Sequence, residues 1–270
     1  MVTATEEGIF IGTTVDLFRP LPNNTKGNTS EGSGGSFKLL TDEDDETIGS
    51  AGSDSISGLK GRDSIDGRGG RDIIYGNEGS DTLLGRSGDD SLFGNQGKDS
   101  LLGNEDQDIL WGGKDNDFLD GDDDQDTLYG NRGNDTLFGS LDDDCLYGGK
   151  GDDCLVGSEG NDTLAGDRDS DTLIGGIGKD LFIISKSTGG LSESEADIIN
   201  DYNTDQRDRI GLIDSLRRSD LDFLDTIVGE RNGTVIRLRN DPEDFLAIVI
   251  GVDEEDLDFI TIWDNIITKD

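Results

Sequence analysis

A strict nine-residue period constrains this chain more than any other feature. From Gly49 to Ile183 the sequence divides into 15 consecutive blocks of nine, with no insertion or deletion. Glycine opens every block, from Gly49 to Gly175, and aspartate holds the sixth place every time. The eighth place is always apolar: Ile56, Ile65 and Ile74, then leucine from Leu83 to Leu173, then Phe182. The fourth place is glycine in ten blocks and aspartate in five: Asp106, Asp115, Asp124, Asp142 and Asp169. A short fixed period is the mark of a solenoid, whose units bury their apolar faces only against neighbouring units.

Within a block, G-x-x-[GD]-x-D cannot be helical, because glycine recurs too often and no 3.6-residue pattern exists. It reads as a turn with positive φ at its glycines. The next three residues, one apolar side chain between two outward ones, read as a minimal strand. Two blocks then close one coil, and stacked coils give two parallel sheets with the eighth-place side chains between them. The expected fold class is all-β: a parallel β-roll (a β-solenoid with two blocks per coil) and a C-terminal β-rich capping region. One core side chain per nine ordered residues is a thin core, so an external ligand is expected to complete it. Second places hold mostly Asn, Asp, Gly, Ser or Arg, with Leu59 out of type.

Charge indicates the kind of ligand. The 270 residues carry a net charge of -38, and the repeat alone holds 31 acidic and 11 basic side chains. Nucleic acid and anionic membranes, which want a basic patch, are excluded as partners. Cations are the natural partner. There is no histidine, which excludes HExxH zinc hydrolases, Ser–His–Asp and Cys–His nucleophile systems and imidazole metal sites. No stretch approaches ~18 apolar residues, so no membrane insertion is expected. The opening MVTATEEGIF lacks the basic start and apolar centre of a cleaved signal peptide. Cys145 and Cys154 lie one block apart, hence on opposite sheets, and are predicted to be free thiols.

The block resembles the RTX (repeats-in-toxin, hemolysin-type) calcium-binding nonapeptide, G-G-x-G-x-D-x-(apolar)-x, over 15 units. The resemblance implies Ca²⁺ between turns of successive coils, 18 residues apart along one edge. One turn would give the backbone carbonyls of its second and fourth residues, its neighbour those of its first and third. Both would give the sixth-place carboxylate, making an oxygen shell that suits a hard cation. The implied metal ligands are Asp54, Asp63, Asp72, Asp81, Asp90, Asp99, Asp108, Asp117, Asp126, Asp135, Asp144, Asp153, Asp162, Asp171 and Asp180. Asp54 pairs with Asp72, Asp63 with Asp81, and so on to Asp162 with Asp180, for up to 13 interior calcium sites.

Several positions depart from that pattern. Second-place glycine survives only at Gly113, Gly149 and Gly176. The five fourth-place aspartates put a further carboxylate near Asp108, Asp117, Asp126, Asp144 and Asp171. They read either as drift at a tolerant position or as tighter sites. Arg62, Arg68 and Arg71 make the first coils basic, where the weakest sites are expected. Outward ninth places form two files. Tyr75, Phe93, Trp111, Tyr129 and Tyr147 lie on one sheet; Leu84, Leu102, Asp120, Phe138, Val156 and Ile174 lie on the other. The aromatic file either stabilises its own sheet by stacking or is a contact face for the N-terminal segment or another molecule.

The flanks divide into an N-terminal segment (1–19), a Pro-, Asn- and Gly-containing flexible linker (20–36), an N-terminal cap (37–48) and a C-terminal region (184–270). Ile9–Phe18 is expected to hold one or two strands, and Arg231–Thr234 reads as a hairpin turn between Thr226–Glu230 and Val235–Arg239. Strands are also expected at Ala196–Tyr202, Arg209–Ile213, Phe245–Val252 and Ile260–Ile267, with a short helical turn within Asp253–Phe259. Asp197-Ile198-Ile199-Asn200-Asp201-Tyr202 and Asp208-Arg209-Ile210-Gly211-Leu212 resemble the region that follows the roll in many RTX proteins. That resemblance implies a cap over the last coil and a C-terminal signal for type I export.

The expected function is therefore a non-catalytic calcium-binding β-roll, not an enzyme, that folds on binding Ca²⁺. It is expected outside the cell or on its surface, without a cleaved N-terminal signal peptide. A structural or adhesive cell-surface protein, self-associating or binding a protein through the aromatic face, is the alternative. A catalytic domain ahead of the roll is not expected, with 48 residues there and no histidine. An ice-binding face is not expected either, because the third-place row is ragged and charged.

Overall fold

Strand and turn divide the block differently from the reading above. The structure, a computed structural model, describes residues 3–5, 8–10, 34–185, 196–213, 215–228 and 231–261. Its repeat strands are six residues long, not three: Ser55–Lys60, Ser64–Gly69, Ile73–Glu78 and onward to Thr172–Ile177, with Phe118–Asp122 one shorter. Each runs from the seventh place of one block to the third place of the next, through the opening glycine. The backbone explains the correction. Positive φ falls at the second and fourth places, from Leu59 and Gly61 to Gly176 and Gly178, and at none of the opening glycines. Those glycines are needed for space instead. A Cβ on Gly58 would stand 2.3 Å from Asp63 Oδ2 and 2.7 Å from the carbonyl oxygen of Gly76.

Two parallel stacks result, a β-solenoid of about eight turns. Sheet I runs through Phe37–Leu39, Ser55–Lys60 and every second strand to Leu181–Ile184, then Arg209–Leu212 and Phe259–Thr261. Sheet II runs from Glu46–Ile48 through Thr172–Ile177 to Asp197–Ile199. It ends in an antiparallel meander of Asp241–Ile250, Arg231–Leu238 and Leu221–Val228. Neighbouring strands pair at an offset of 18 residues, as in Leu110 with Leu128 and Leu101 with Leu119. The fold is all-β, with 3-10 turns at Arg218–Asp220 and Glu254–Asp256. Among the described residues no helix is long and apolar enough to cross a membrane.

Through the repeat the core is one file of side chains, and a second buried cluster of Ala196, Val235, Ile248 and Ile250 lies in the C-terminal region. Every eighth-place residue from Ile56 to Phe182 is fully buried. The file outlasts the sequence period. Ile199 pairs with Leu173 and Ile210 with Phe182, both buried, so one further coil, a strand in each sheet, stacks beyond Ile183. Tyr202 then packs on Phe182, with 6.3 Å between ring centroids. At the other end, Thr47 pairs with Ile65 and is buried as a polar start to the same file.

Three expectations are settled by register. Cys145 and Cys154 sit in different sheets and are free thiols. The aromatic file is in register on sheet I, with successive centroids 4.8, 4.3, 5.8 and 5.0 Å apart and rings near parallel. The hairpin is displaced. Asn232 and Gly233 lie inside a strand, opposite Ile227 and Thr226, and the chain reverses between Val228 and Arg231. Asn-Gly promotes a turn, but pairing of Val235 with Ile248 and Ile236 with Ala247 in the buried meander fixes a different register. Thr3–Thr5 pairs with Gly8–Phe10 as an antiparallel ribbon. The rest of the expected Ile9–Phe18 strands, nearly all of the linker and the end of the Ile260–Ile267 strand lie outside the described residues.

Leu59 holds φ 76° where other coils place Asn77 and Asn95 at φ 80° and 78°. A branched side chain in the left-handed region costs about 1–2 kcal/mol. Asn77 and Asn95 donate from Nδ2 to the carbonyls of Tyr75 and Phe93, both at 3.3 Å. Leu59→Asn is expected to raise stability by about 1 kcal/mol, read by denaturant unfolding in calcium.

Candidate metal centre

The turns bring the sixth-place aspartates into two files, one along each edge of the roll. All fifteen side chains from Asp54 to Asp180 are at most 4 % exposed. The backbone N–H of each donates to Oδ1 of the aspartate one coil on. Asp63 N–H reaches Asp81 at 2.8 Å, Asp108 reaches Asp126 at 2.8 Å, and Asp153 reaches Asp171 at 2.8 Å. In return each aspartate carbonyl accepts from the next coil, as Asp63 does from Thr82 N–H at 2.8 Å. These bonds use Oδ1 and the main chain. They leave Oδ2 of all fourteen aspartates from Asp63 to Asp180 buried without a hydrogen-bond partner.

Such oxygens carry a large desolvation cost. Burial pushes the Asp63 and Asp72 carboxyls up to about 7, Asp117 and Asp153 to about 8, and Asp126 to about 9. The carboxylates of Asp108 and Asp144, one coil either side, add to the shift at Asp126. Backbone N–H donors oppose it. Among the described residues no three His, Cys, Asp or Glu side chains converge on one point. A cation here would therefore draw on backbone carbonyls as well as stacked carboxylates, an all-oxygen set that fits calcium better than zinc.

The first turn differs, for a reason the sequence reading missed. Asp54 Oδ1 accepts from the Ser36 backbone and hydroxyl, and Oδ2 accepts from Ser50 N–H. Burial alone would raise this carboxyl, but the Ser36 and Ser50 hydrogen bonds hold it below the usual range. Of the three arginines of the first coils, Arg71 pairs with Asp89. Two fourth-place aspartates also have a role not foreseen. Asp106 Oδ2 accepts from Gly88 N–H at 2.9 Å and Asp169 Oδ2 from Gly151 N–H at 3.2 Å, tying each turn to the coil before it.

Three more residues join the files. Asp45 N–H donates to Asp63 Oδ1 at 2.8 Å. Asp171 and Asp180 N–H donate to Asp197 and Asp208 Oδ1, both at 3.1 Å. Asp197 is fully buried and its Oδ2 also lacks a hydrogen-bond partner. Asp208 Oδ2 accepts from Asn203 N–H at 2.8 Å. These last two stand 26 and 28 residues from their neighbours, so a fixed period passes over them. The signal was the Asp197–Tyr202 motif. Asp201 accepts from Gly175 and Gly176 N–H at 2.9 and 2.8 Å, and the Tyr202 hydroxyl donates to the Asp208 carbonyl at 2.7 Å.

Fold and site together define a parallel β-solenoid whose turns are lined by buried carboxylates suited to a hard divalent cation. Residues 48–83, 84–119, 120–155 and 147–182 match the RTX calcium-binding nonapeptide repeat in four copies. These stretches span half of the chain, and the chain belongs to that family, whose repeats bind calcium. Comparison with curated proteins finds no match.

Raised carboxyl values set the sign of a pH dependence. Unfolded aspartate titrates near ~3.9, whereas the folded carboxyls keep their protons up to about 6 at Asp90 and about 9 at Asp126. Metal-stripped roll should be most stable below pH ~4 and lose that stability as pH rises through this window. Far-UV circular dichroism of metal-stripped protein is expected to gain β signal on acidification from about pH 9 to about pH 4.

Proposed function

We propose that this protein is a non-catalytic calcium-binding β-roll that folds as it binds calcium and acts outside the cell or on its surface. The buried row of unpartnered Oδ2 atoms from Asp63 to Asp180 supports this reading above all. The ligands are the sixth-place aspartates, Asp54 to Asp180, with carbonyls of the adjoining turns. The repeat provides 13 interior pairs, and Asp197 and Asp208 extend the two files. A bound cation supplies positive charge between carboxylates that otherwise face only one another. The chain supplies the rest: Oδ1 fixes each carboxylate to the coil before it, and glycine at the opening place leaves room beside Oδ2.

Ionised aspartates oppose stacking when calcium is scarce. Calcium that binds the stacked state alone then favours it by mass action. Sites of the ~10⁻⁴–10⁻³ M class suit extracellular calcium, which supports export; the C-terminal region is proposed as the type I export signal. Adjacent sites share turns, so filling is cooperative. A calcium titration followed by far-UV circular dichroism should show a steep gain of β signal. A full β spectrum at neutral pH in chelator, unchanged by millimolar calcium, would sink the reading.

A single substitution separates ligand from scaffold. Asp126→Asn removes a carboxyl that is ionised in the unfolded chain and must be protonated to be buried without metal, so it should stabilise metal-stripped protein while destabilising calcium-loaded protein, each by about 1–3 kcal/mol. An aspartate with only a structural role would lose stability in both states.

The aromatic file favours a second reading, a structural or adhesive surface protein. Five rings stacked along sheet I, with Tyr75 36 % exposed and Ile73 and Ile109 exposed beside them, make an apolar ridge fit for a protein contact. Assembly in calcium that is lost in Trp111→Ser would favour it.

A further inference from the structure

The two turn edges of the roll carry opposite charge. The buried sixth-place aspartates do not contribute to this contrast; the charged side chains at third to fifth places do, and all are exposed. In turns that follow sheet I strands, these places hold seven basic and four acidic side chains. In turns that follow sheet II strands, they hold two basic and eight acidic. Lys114, Arg132, Lys150 and Arg168 show the contrast best. They are register-paired from strand to strand along sheet I. Four cations thus stand in file at a spacing of about 4.8 Å. Like charges in register repel, and among the described residues no ion pair engages any of the four. On the opposite edge Glu105, Asp123 and Glu159 occupy the same third place, with Asp106, Asp124 and Asp142 beside them.

We propose that the basic edge of one copy docks along the acidic edge of a second copy of this chain. The two files ride on one frame with one repeat, so they match over several coils without adjustment. A flexible anionic polymer would have to be ordered to the same spacing, which costs affinity. Each copy carries a net charge of -38 before calcium binds, but at ~0.15 M salt the screening length is ~8 Å. Distant repulsion fades while the facing files still attract. The edges lie on opposite sides of the coil, so the contact is heterologous and does not close, giving rolls side by side. The proposal rests on the calcium-dependent fold and is separate from the aromatic face of sheet I.

Charge-swap complementation tests it by sedimentation velocity of the full chain in millimolar calcium at ~0.15 M salt. One variant carries Lys114→Glu, Arg132→Glu and Lys150→Glu; the other carries Glu105→Lys, Asp123→Lys and Glu159→Lys. Wild type is expected to grow in size with concentration. Each variant alone should lose at least about tenfold in self-affinity, and an equimolar mixture should regain it. Circular dichroism in calcium is recorded for every sample. Where a reversal variant loses the β spectrum, Lys114→Gln with Lys150→Gln takes its place, with the same loss expected. Wild type that shows the calcium-bound β spectrum yet stays monomeric overturns the edge contact. So do folded variants that associate as wild type does, or a folded mixture that stays monomeric. Wild type without that spectrum overturns the calcium-dependent fold instead.

Discussion

Carboxylate stacked on carboxylate is the interaction on which this roll depends. The peptide N–H of each sixth-place aspartate donates to the carboxylate one coil on, as Asp108 does to Asp126. That bond ties each turn to the next coil and stacks the carboxyl groups in file. A neutral side chain would make the stacking easy, but it would give a cation nothing to bind. Aspartate leaves each turn from Asp63 to Asp180 with a buried oxygen that lacks a partner. The Oδ2 atoms are too buried for water and too alike in charge to satisfy one another.

The other features answer to that constraint. Within the repeat the core is a single file of isoleucine and leucine ending in Phe182, because coils held this close leave room for one inward apolar side chain per block. The opening glycines are extended and exist to clear space for Oδ2. The ends are handled by local polar chemistry. Serines 36 and 50 satisfy Asp54 at the start, while Asp201 and Tyr202 close the last coils. The charged side chains at the third to fifth places point outward, and there the two edges diverge in sign.

What was legible in the sequence is what depends on spacing alone. Parallel coils of two blocks, the buried eighth places, the aspartate files, the aromatic stack and the separated cysteines all follow from counting by nine. What was not legible depends on backbone conformation or on irregular spacing. Glycine at the first place looked like a turn residue, yet it is extended, and the strands doubled in length. Asn232-Gly233 looked like a turn, but meander pairing overrode it. Asp197 and Asp208 were visible as a motif, while their place in the files appears only once the chain has looped back onto the roll.

Cations that complete the aspartate files would lie between coils along both edges. The most direct measurement is the anomalous scattering map of a calcium-loaded crystal. Two rows of peaks are expected, one per edge, at about 4.8 Å intervals, each between Oδ2 atoms of aspartates one coil apart. Full occupancy is expected through the central coils, with the weakest peak beside Asp54. Peaks confined to exposed acidic clusters such as Asp122–Asp124, with none along the files, would contradict that placement.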